Sequence, residues 1–146
     1  MRVVAIIQAR MGSTRLPGKV MMDLAGEPML ARVVDRTRRA ESLDDTVVAT
    51  TTEPADEVIV GLCDRRGYPC FEGSSDDVLD RYYQAALKYE ADAVVRVTSD
   101  NPLVDPAVID DVVGAFDRAK PDCASNDFPP RTYPLGLGVE IGRAHV

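Results

Sequence analysis

VVAIIQ (residues 3–8) is the first apolar run of the chain, and it leads directly into the loop ARMGSTRLPGKV (residues 9–20). A nearly all-apolar run of this length, followed by a polar loop that contains glycine and proline, is typical of a β-strand buried on both faces. Such strands occur in parallel sheets that are covered by helices on both sides. Residues 3–8 therefore predict a protein of the α/β class.

The rest of the chain alternates between strand and helix patterns, which predicts a three-layer α/β/α domain with a mostly parallel, doubly wound sheet. Further strands are predicted at 46–50, 68–73 and 92–100, and short ones at 122–127 and 138–141. Four helices are predicted. They begin near Pro28, at Pro54, after the N-cap Ser74 and at Asp105-Pro106. The side chains predicted to face inward include Val58, Ile59 and Leu62 on the second helix and Val78, Leu79, Tyr82, Ala86 and Leu87 on the third.

The net charge of the chain limits the kinds of partner that it can bind. The 146 residues fit one domain, and a formal net charge of −7 argues against a nucleic-acid partner. The charge is unevenly spread, because residues 1–22 hold four basic side chains and no carboxylate. Those side chains are Arg2, Arg10, Arg15 and Lys19. A cationic loop on an acidic body indicates a small anionic ligand, although the same residues could simply face water.

Other residue types exclude several classes of site and location. Cys63, Cys70 and Cys123 form no C-x-x-C pair and are odd in number, so we expect neither a zinc site nor a disulfide framework. Idle thiols suit a reducing cytoplasm, and no apolar run is long enough to span a membrane. His145 is the only histidine and lies beside the C-terminus, which argues against a histidine base. We therefore expect a cytoplasmic protein without a membrane partner.

The loop after the first strand fits neither of two common phosphate-binding motifs. In a P-loop four residues separate the first glycine from Gly-Lys and a hydroxyl residue follows, whereas here five residues separate Gly12 from Gly18, and Val20 follows Lys19. The spacing of the glycines also fails to match the dinucleotide motif G-x-G-x-x-G. Both interpretations are therefore rejected.

The residues of the loop nevertheless predict a polyphosphate site. Gly12 would let a ligand approach the backbone, and successive amides from residues 9–14 could line an anionic pocket. Arg10, Arg15 and Lys19 would donate charge-assisted hydrogen bonds to phosphoryl oxygens. A tight turn at Pro17-Gly18 would return Lys19 toward the same pocket. The carboxyl end of a parallel strand is where such sheets bind ligands.

Several motifs in the correct order resemble the sugar cytidylyltransferases, the group that activates 3-deoxy-manno-octulosonate and N-acylneuraminate. The similarity is strongest to the branch called spore coat polysaccharide biosynthesis protein F. The motifs are RMGSTRLPGK (10–19), LAGEPML (24–30), VVATTTEPADEVI (47–59), FEGSSDDVLDRYYQAA (71–86), VRVTSDNPLVDP (95–106) and YPLGLGVEI (133–141). The resemblance implies a nucleotide-diphospho-sugar transferase fold, which is Rossmann-like. It also implies transfer of CMP, or another nucleotidyl group, from CTP to a sugar with release of pyrophosphate.

The resemblance also assigns roles to individual residues. Catalytic roles fall to Arg10, Lys19 and Asp100, and Asp100 would bind Mg²⁺. Its place just past a buried strand suits a hard cation independently, although an aspartate there could also be a turn cap. The residues expected to contact the nucleotide are Ala9, Arg10, Gly12, Ser13, Arg15, Lys19, Thr51, Ser74, Asp77 and Arg81. Thr51 could instead be an ordinary strand residue, and Ser74 and Asp77 could instead cap a helix.

The chain also departs from the pattern of its relatives. They usually carry aspartate in the motif G-L-D-V-E, where this chain has Gly138, so a polar role at that position is expected to be lost. Relatives are longer, so we expect residues 1–146 to be a single nucleotide-binding domain without their sugar-binding and dimerisation part. A homodimer is one expected form. The alternatives are a glycosyltransferase that uses a nucleotide-sugar and a non-catalytic nucleotide-binding or assembly domain.

Overall fold

A computed structural model describes residues 1–144, and His145, with the prediction made for it, lies outside the described residues. The described part of the chain contains one six-stranded sheet, a two-stranded hairpin, four α-helices and two single 3-10 turns, at Lys19–Met21 and Pro54–Asp56. In chain order the elements are β1 (Val3–Gln8), β2 (Asp23–Leu24), β3 (Glu27–Pro28), α1 (Met29–Thr37), β4 (Asp45–Thr51), α2 (Glu57–Arg66), β5 (Cys70–Gly73), α3 (Val78–Lys88), β6 (Ala93–Thr98), α4 (Pro106–Ala119), β7 (Cys123–Ser125) and β8 (Glu140–Arg143).

The strand order of the large sheet is β5-β4-β1-β6-β8-β7. The first four of these strands run parallel, and β8 pairs antiparallel with both β6 and β7. β1 lies at the centre, where Ile6 pairs with Val47 on one side and with Arg96 on the other. The mostly parallel α/β architecture predicted from the sequence is confirmed.

Helices cover the sheet on both faces because successive side chains of β1 point to opposite sides. Val3, Ala5 and Ile7 belong to a large core that includes buried residues of α1, α2 and α4. Val4 and Ile6 belong to a smaller core with Ala85 and Ala86 of α3. Because β1 is apolar on both faces, it can only lie in the middle of such a three-layer domain. No helix within residues 1–144 combines the length and the apolar character needed to cross a bilayer.

The predicted orientation of α3 was partly wrong. Asp77, not Ser74, is the N-cap, because its carboxylate accepts a hydrogen bond from the amide of Asp80 at 2.9 Å. The buried residues of the helix are Arg81, Ala85 and Ala86, and Leu79 is 80% exposed. Val78 and Leu87 are exposed as well, and so is Val58 on α2, so their predicted inward orientation was also wrong.

Candidate nucleotide-binding site

The loop after β1 folds back on itself at the carboxyl edge of the parallel strands. The carbonyl of Met11 accepts hydrogen bonds from the amides of Ser13 and Gly18, both at 2.9 Å. Gly18 has a φ of 72°, in the left-handed region that glycine adopts without a steric penalty. Lys19 begins a single 3-10 turn immediately afterwards. The turn at Pro17-Gly18 therefore returns Lys19 toward the end of β1, as the sequence predicted.

Asp56 links this loop to the end of β4 through buried hydrogen bonds. Its side chain is 2% exposed and accepts hydrogen bonds from the amide of Met11, at 2.7 Å, and from the hydroxyl of Thr51. The Thr51 hydroxyl in turn accepts a hydrogen bond from the amide of Glu53 at 3.1 Å. The carboxylate of Asp56 and the hydroxyl of Thr51 are thus hydrogen-bonded within the protein. These bonds fix the backbone next to Arg10.

A cavity of about 360 Å³ lies between the loop, α3 and the end of β6. It is lined by Gln8, Ala9, Arg10, Ser13, Thr14, Arg15, Lys19, Val20, Val78, Arg81, Thr98, Ser99 and Asp100. Seven of the residues predicted from the sequence meet here: Ala9, Arg10, Ser13, Arg15, Lys19, Arg81 and Asp100. The structure therefore brings the cationic tips together around one open space at the carboxyl edge of the sheet.

Arg81 supplies an unusual charge to this cavity. The residue is 2% exposed, and its guanidinium donates one hydrogen bond, to the carbonyl of Ser74 at 3.3 Å, while its Nε has no partner. Burial lowers the pKa of Arg81, and the positive charge of Arg10 lowers it further. Within residues 1–144 no carboxylate forms a salt bridge with Arg10, Arg15 or Arg81. Arg10 and Arg15 are exposed, whereas Arg81 is buried, and a buried cation without a counter-ion is costly, so the charge of Arg81 in particular suits an anionic ligand.

Asp100 lies two residues beyond the end of β6 and faces Lys19 across the cavity. The Nζ of Lys19 is 2.9 Å from Oδ2 of Asp100. This hydrogen bond, together with one from Thr98, lowers the pKa of Asp100, so the carboxylate is ionised at neutral pH. Among the described residues, no three His, Cys, Asp or Glu side chains form a group that could hold a metal. Mg²⁺ bound to a nucleotide commonly takes only one or two carboxylates plus phosphate oxygens, so a lone Asp100 fits that ion.

Four predicted residues do not line the cavity: Gly12, Thr51, Ser74 and Asp77. The hydroxyl of Thr51 is used by Asp56, and that of Ser74 accepts a hydrogen bond from the amide of Asp77 at 3.0 Å. Ser74 still acts on the site indirectly, because its carbonyl holds the guanidinium of Arg81. These residues shape the cavity without facing it.

The backbone amides of the loop are also less available than the sequence suggested. The amide of Ala9 is bonded to the carbonyl of Ala49 at 3.0 Å, and those of Met11 and Ser13 are bonded within the protein. Only alternate amides of residues 9–14 can therefore serve a ligand. The site relies more on side-chain cations than on a row of amides.

Sequence analysis missed Gln8, Thr98 and Ser99, which also line the cavity. The Oε1 of Gln8 is buried and has no hydrogen-bond partner. Such an atom is free to accept a hydrogen bond from a ligand. A signal was present in the sequence, because Gln8 is the one polar residue in the run 3–8 and stands at its carboxyl end.

Comparison with known proteins identifies the family of the chain. A family model described as Cytidylyltransferase matches residues 4–135. The chain belongs to the cytidylyltransferase family. Spore coat polysaccharide biosynthesis protein SpsF of Bacillus subtilis is 38% identical over 153 residues, which cover 99% of this chain and 60% of that protein. An uncharacterised protein of Methanocaldococcus jannaschii is 44% identical over 141 residues, 97% of this chain and 56% of its own length.

Solved structures of cytidylyltransferases have the same fold. A cytidylyltransferase from Leptospira borgpetersenii superimposes with a TM-score of 0.91 at 34% identity, covering 99% of this chain and 61% of that one. A CMP:2-keto-3-deoxy-manno-octonic acid synthetase, solved in complex with CTP, has a TM-score of 0.77 at 21% identity, over 99% of this chain and 75% of that one. The chain spans less than two thirds of the length of both SpsF and the Methanocaldococcus protein.

Proposed function

We propose that this chain is the nucleotide-binding domain of a magnesium-dependent nucleotidyltransferase that transfers CMP from CTP to a sugar, in the synthesis of a surface polysaccharide. The single observation that supports the proposal most directly is the cavity in which Arg10, Arg15, Lys19 and Arg81 converge on Asp100. A triphosphate carries more negative charge than a diphospho-sugar, so four cations favour CTP over a nucleotide-sugar donor. Family membership and the CTP complex of a protein with the same fold support this choice.

The proposed reaction needs positioning and charge neutralisation rather than a covalent intermediate. A hydroxyl oxygen of the sugar bonds to the α-phosphorus, the bond from that phosphorus to the bridging oxygen breaks, and pyrophosphate leaves with the electron pair. The hydroxyl proton passes to solvent. The cations of the loop would stabilise the charge that builds on the leaving pyrophosphate.

Asp100 would hold the metal ion and Lys19 would orient the carboxylate. When bound, Mg²⁺ would neutralise charge on the triphosphate and polarise its phosphoryl oxygens. Because Lys19 already contacts Oδ2 of Asp100, the lysine and the phosphates would share this side of the cavity. The ammonium group of Lys19 would then donate a hydrogen bond to a phosphate oxygen as well as to Asp100.

The proposal is tested by titrating CTP into the protein with Mg²⁺ in a calorimeter. Arg10→Ala and Lys19→Ala should each weaken binding about 10- to 100-fold, because each removes a charge-assisted hydrogen bond. Arg65→Ala is the matched control, since Arg65 is an exposed arginine that does not line the cavity. Circular dichroism checks that each variant is folded.

Normal CTP binding by both cavity variants would contradict the proposal. Pyrophosphate release with candidate sugars then separates a transferase from a binding module, because a non-catalytic domain would bind CTP without turnover. Transfer from a preformed nucleotide-sugar, with no pyrophosphate release, would instead support a glycosyltransferase.

A further inference from the structure

The side chain of Arg81 is held by the last residue of β5 and by the residue that follows it. Its guanidinium donates a hydrogen bond to the carbonyl of Ser74 at 3.3 Å. Its aliphatic stem lies against Gly73, because a Cβ atom at position 73 would be 3.1 Å from Cγ and 3.5 Å from Cβ of Arg81. Two consecutive residues at the carboxyl end of β5 therefore contact both ends of this side chain.

The backbone conformation at position 73 does not itself require glycine. The φ of Gly73 lies outside the left-handed region, whereas Gly18 and Gly67 lie within it, at 72° and 66°. Contact with neighbouring atoms explains the glycine instead, because a Cβ would also be 2.7 Å from the ring atom Cε1 of Phe71. Among the glycines of residues 1–144, only Gly73 and Gly138 would bring a Cβ within 3.0 Å of another atom.

Arg81 has little room to move away from a side chain at position 73. The residue is 2% exposed and lies on the buried face of α3 with Ala85 and Ala86. An arginine on the surface could rotate into solvent, whereas a buried one is surrounded by close-packed neighbours. A Cβ that presses on the stem would therefore displace the guanidinium that lines the nucleotide cavity.

The strand that carries Gly73 is paired with the strand that supports Arg10. Gly73 pairs with Thr51 in the parallel ladder of β4 and β5. The hydroxyl of Thr51 donates a hydrogen bond to Asp56, which also anchors the loop that carries Arg10. Arg10 lies close enough to Arg81 to lower its pKa. The neighbouring ends of β4 and β5 thus support two cations of one cavity.

We infer that Gly73 is a positioning residue of the nucleotide cavity: its lack of a side chain places the guanidinium of Arg81 where it can bind an anion together with Arg10. The inference rests on the proposed function for the identity of the anion. Gly73 does not line the cavity and acts only through Arg81. A residue with this role affects ligand binding only while Arg81 is present, which distinguishes it from a residue that merely stabilises β5.

A double-mutant cycle tests the inference. CTP with Mg²⁺ is titrated by calorimetry into the full chain, into Gly73→Ala, into Arg81→Met and into the double variant. Inorganic triphosphate, an anion without base or sugar, is titrated in parallel. Gly73→Ala should weaken the binding of both anions about threefold to tenfold, because a displaced guanidinium makes a poorer charge-assisted hydrogen bond. In the Arg81→Met background the same substitution should change the affinity less than about twofold.

Gly142→Ala is the matched control. Gly142 also lies in a strand, outside the nucleotide cavity, and a Cβ there would have its nearest neighbour at 3.7 Å, an ordinary contact. This variant should bind both anions with wild-type affinity.

Phe71→Leu separates the contact with the ring from the contact with Arg81. It removes the ring atom that a Cβ at position 73 would meet at 2.7 Å and leaves the contact with Cγ of Arg81. The loss of melting temperature caused by Gly73→Ala should therefore be smaller in the Phe71→Leu background, whereas the loss of anion affinity should persist.

Three outcomes would overturn the inference. They are wild-type affinity in Gly73→Ala, an equal loss of affinity with and without the Arg81 side chain, and full recovery of binding when Phe71→Leu is added. Binding of triphosphate without binding of CTP would contradict the proposed function, and the triphosphate cycle would still decide the role of Gly73. Binding of neither anion would contradict both.

Discussion

The nucleotide cavity adjoins a second one, of about 260 Å³, on the other side of β6, and the charges of the two are arranged differently. The second cavity is lined by Arg96, Thr98, Asp100, Asn101, Asp127, Arg131, Leu135, Gly136, Gly138 and Glu140, and it shares Thr98 and Asp100 with the first. The first holds Arg10, Arg15 and Arg81 without a carboxylate partner, whereas each arginine of the second is paired. Of these three, only Arg81 is buried, and an unpaired buried cation is kept only where something else compensates it, so the first cavity suits the anion that we propose. The second balances its own charges and presents acceptors.

The loops that form the two cavities are also anchored to different degrees, and mutation of the anchors should show it. Asp56→Ala should lower the free energy of unfolding by about 3 kcal/mol, because it leaves the amide of Met11 and the hydroxyl of Thr51 without their buried partner. Asn126 holds the loop of the second cavity through hydrogen bonds to Leu137 and Val139, and it is only half-buried.

Asn126→Ala should therefore cost less than half as much as Asp56→Ala. Urea unfolding of both variants measures the two changes. Equal losses of unfolding free energy would show that the two loops are anchored equally. The proposed difference in anchoring between the two cavities would then be wrong. CTP titration of Asp56→Ala should in addition show weaker binding, because the backbone of Arg10 loses its support.

Replacing Arg81 should separate ligand binding from stability. Arg81→Met keeps the length of the side chain and removes a buried charge that has no carboxylate partner, so the protein should be as stable as before or more stable. CTP binding should fall about 10-fold or more, because a charge-assisted hydrogen bond is lost. Thermal unfolding and calorimetry measure the two effects. A lower melting temperature with normal CTP binding would identify Arg81 as a structural residue instead.

The paired charges of the second cavity should contribute least to the stability of the fold. Arg96 and Glu140 have side chains that are 45% and 47% exposed. Glu140→Gln should change the free energy of unfolding by less than about 1 kcal/mol, as is usual for exposed ion pairs. Urea unfolding at low and high salt measures this change. A loss above 2 kcal/mol at low salt would mean that the pair is a structural support rather than part of a binding surface.

Local patterns in the sequence predicted most of the fold. The run at residues 3–8 is apolar on both faces, and such a strand has only one stable place, between two layers of helices. Asp105 was predicted to cap α4 and does so, with its carboxylate 2.8 Å from the amide of Ala107. Errors occurred where two neighbouring residues could both cap a helix. Ser74 was chosen as the N-cap of α3 instead of Asp77. The inward orientation of Leu79 was a separate error, because its apolar side chain suggested burial, whereas the helix leaves Leu79 exposed and buries Arg81.

Site residues that lie together on one loop could be predicted from the sequence. Contacts between segments that are far apart in the sequence could not. Arg10 and Lys19 lie on a single loop whose turn at Gly18 can be recognised from the sequence. The link from Asp56 to Met11 spans 45 residues, and nothing local indicates it. The contact of Asp127 with Gly138 likewise depends on how two strands pair at the antiparallel end of the sheet. Such contacts are set by tertiary packing, which single-sequence patterns do not encode.

The close approach of Asp127 to Gly138 also couples the two positions. Any side chain at position 138 would take the space in which the carboxylate of Asp127 now lies, so that carboxylate would have to rotate away and give up its present contact with Arg131. The effect of a substitution at 138 should therefore depend on which residue stands at 127, which geneticists call epistasis.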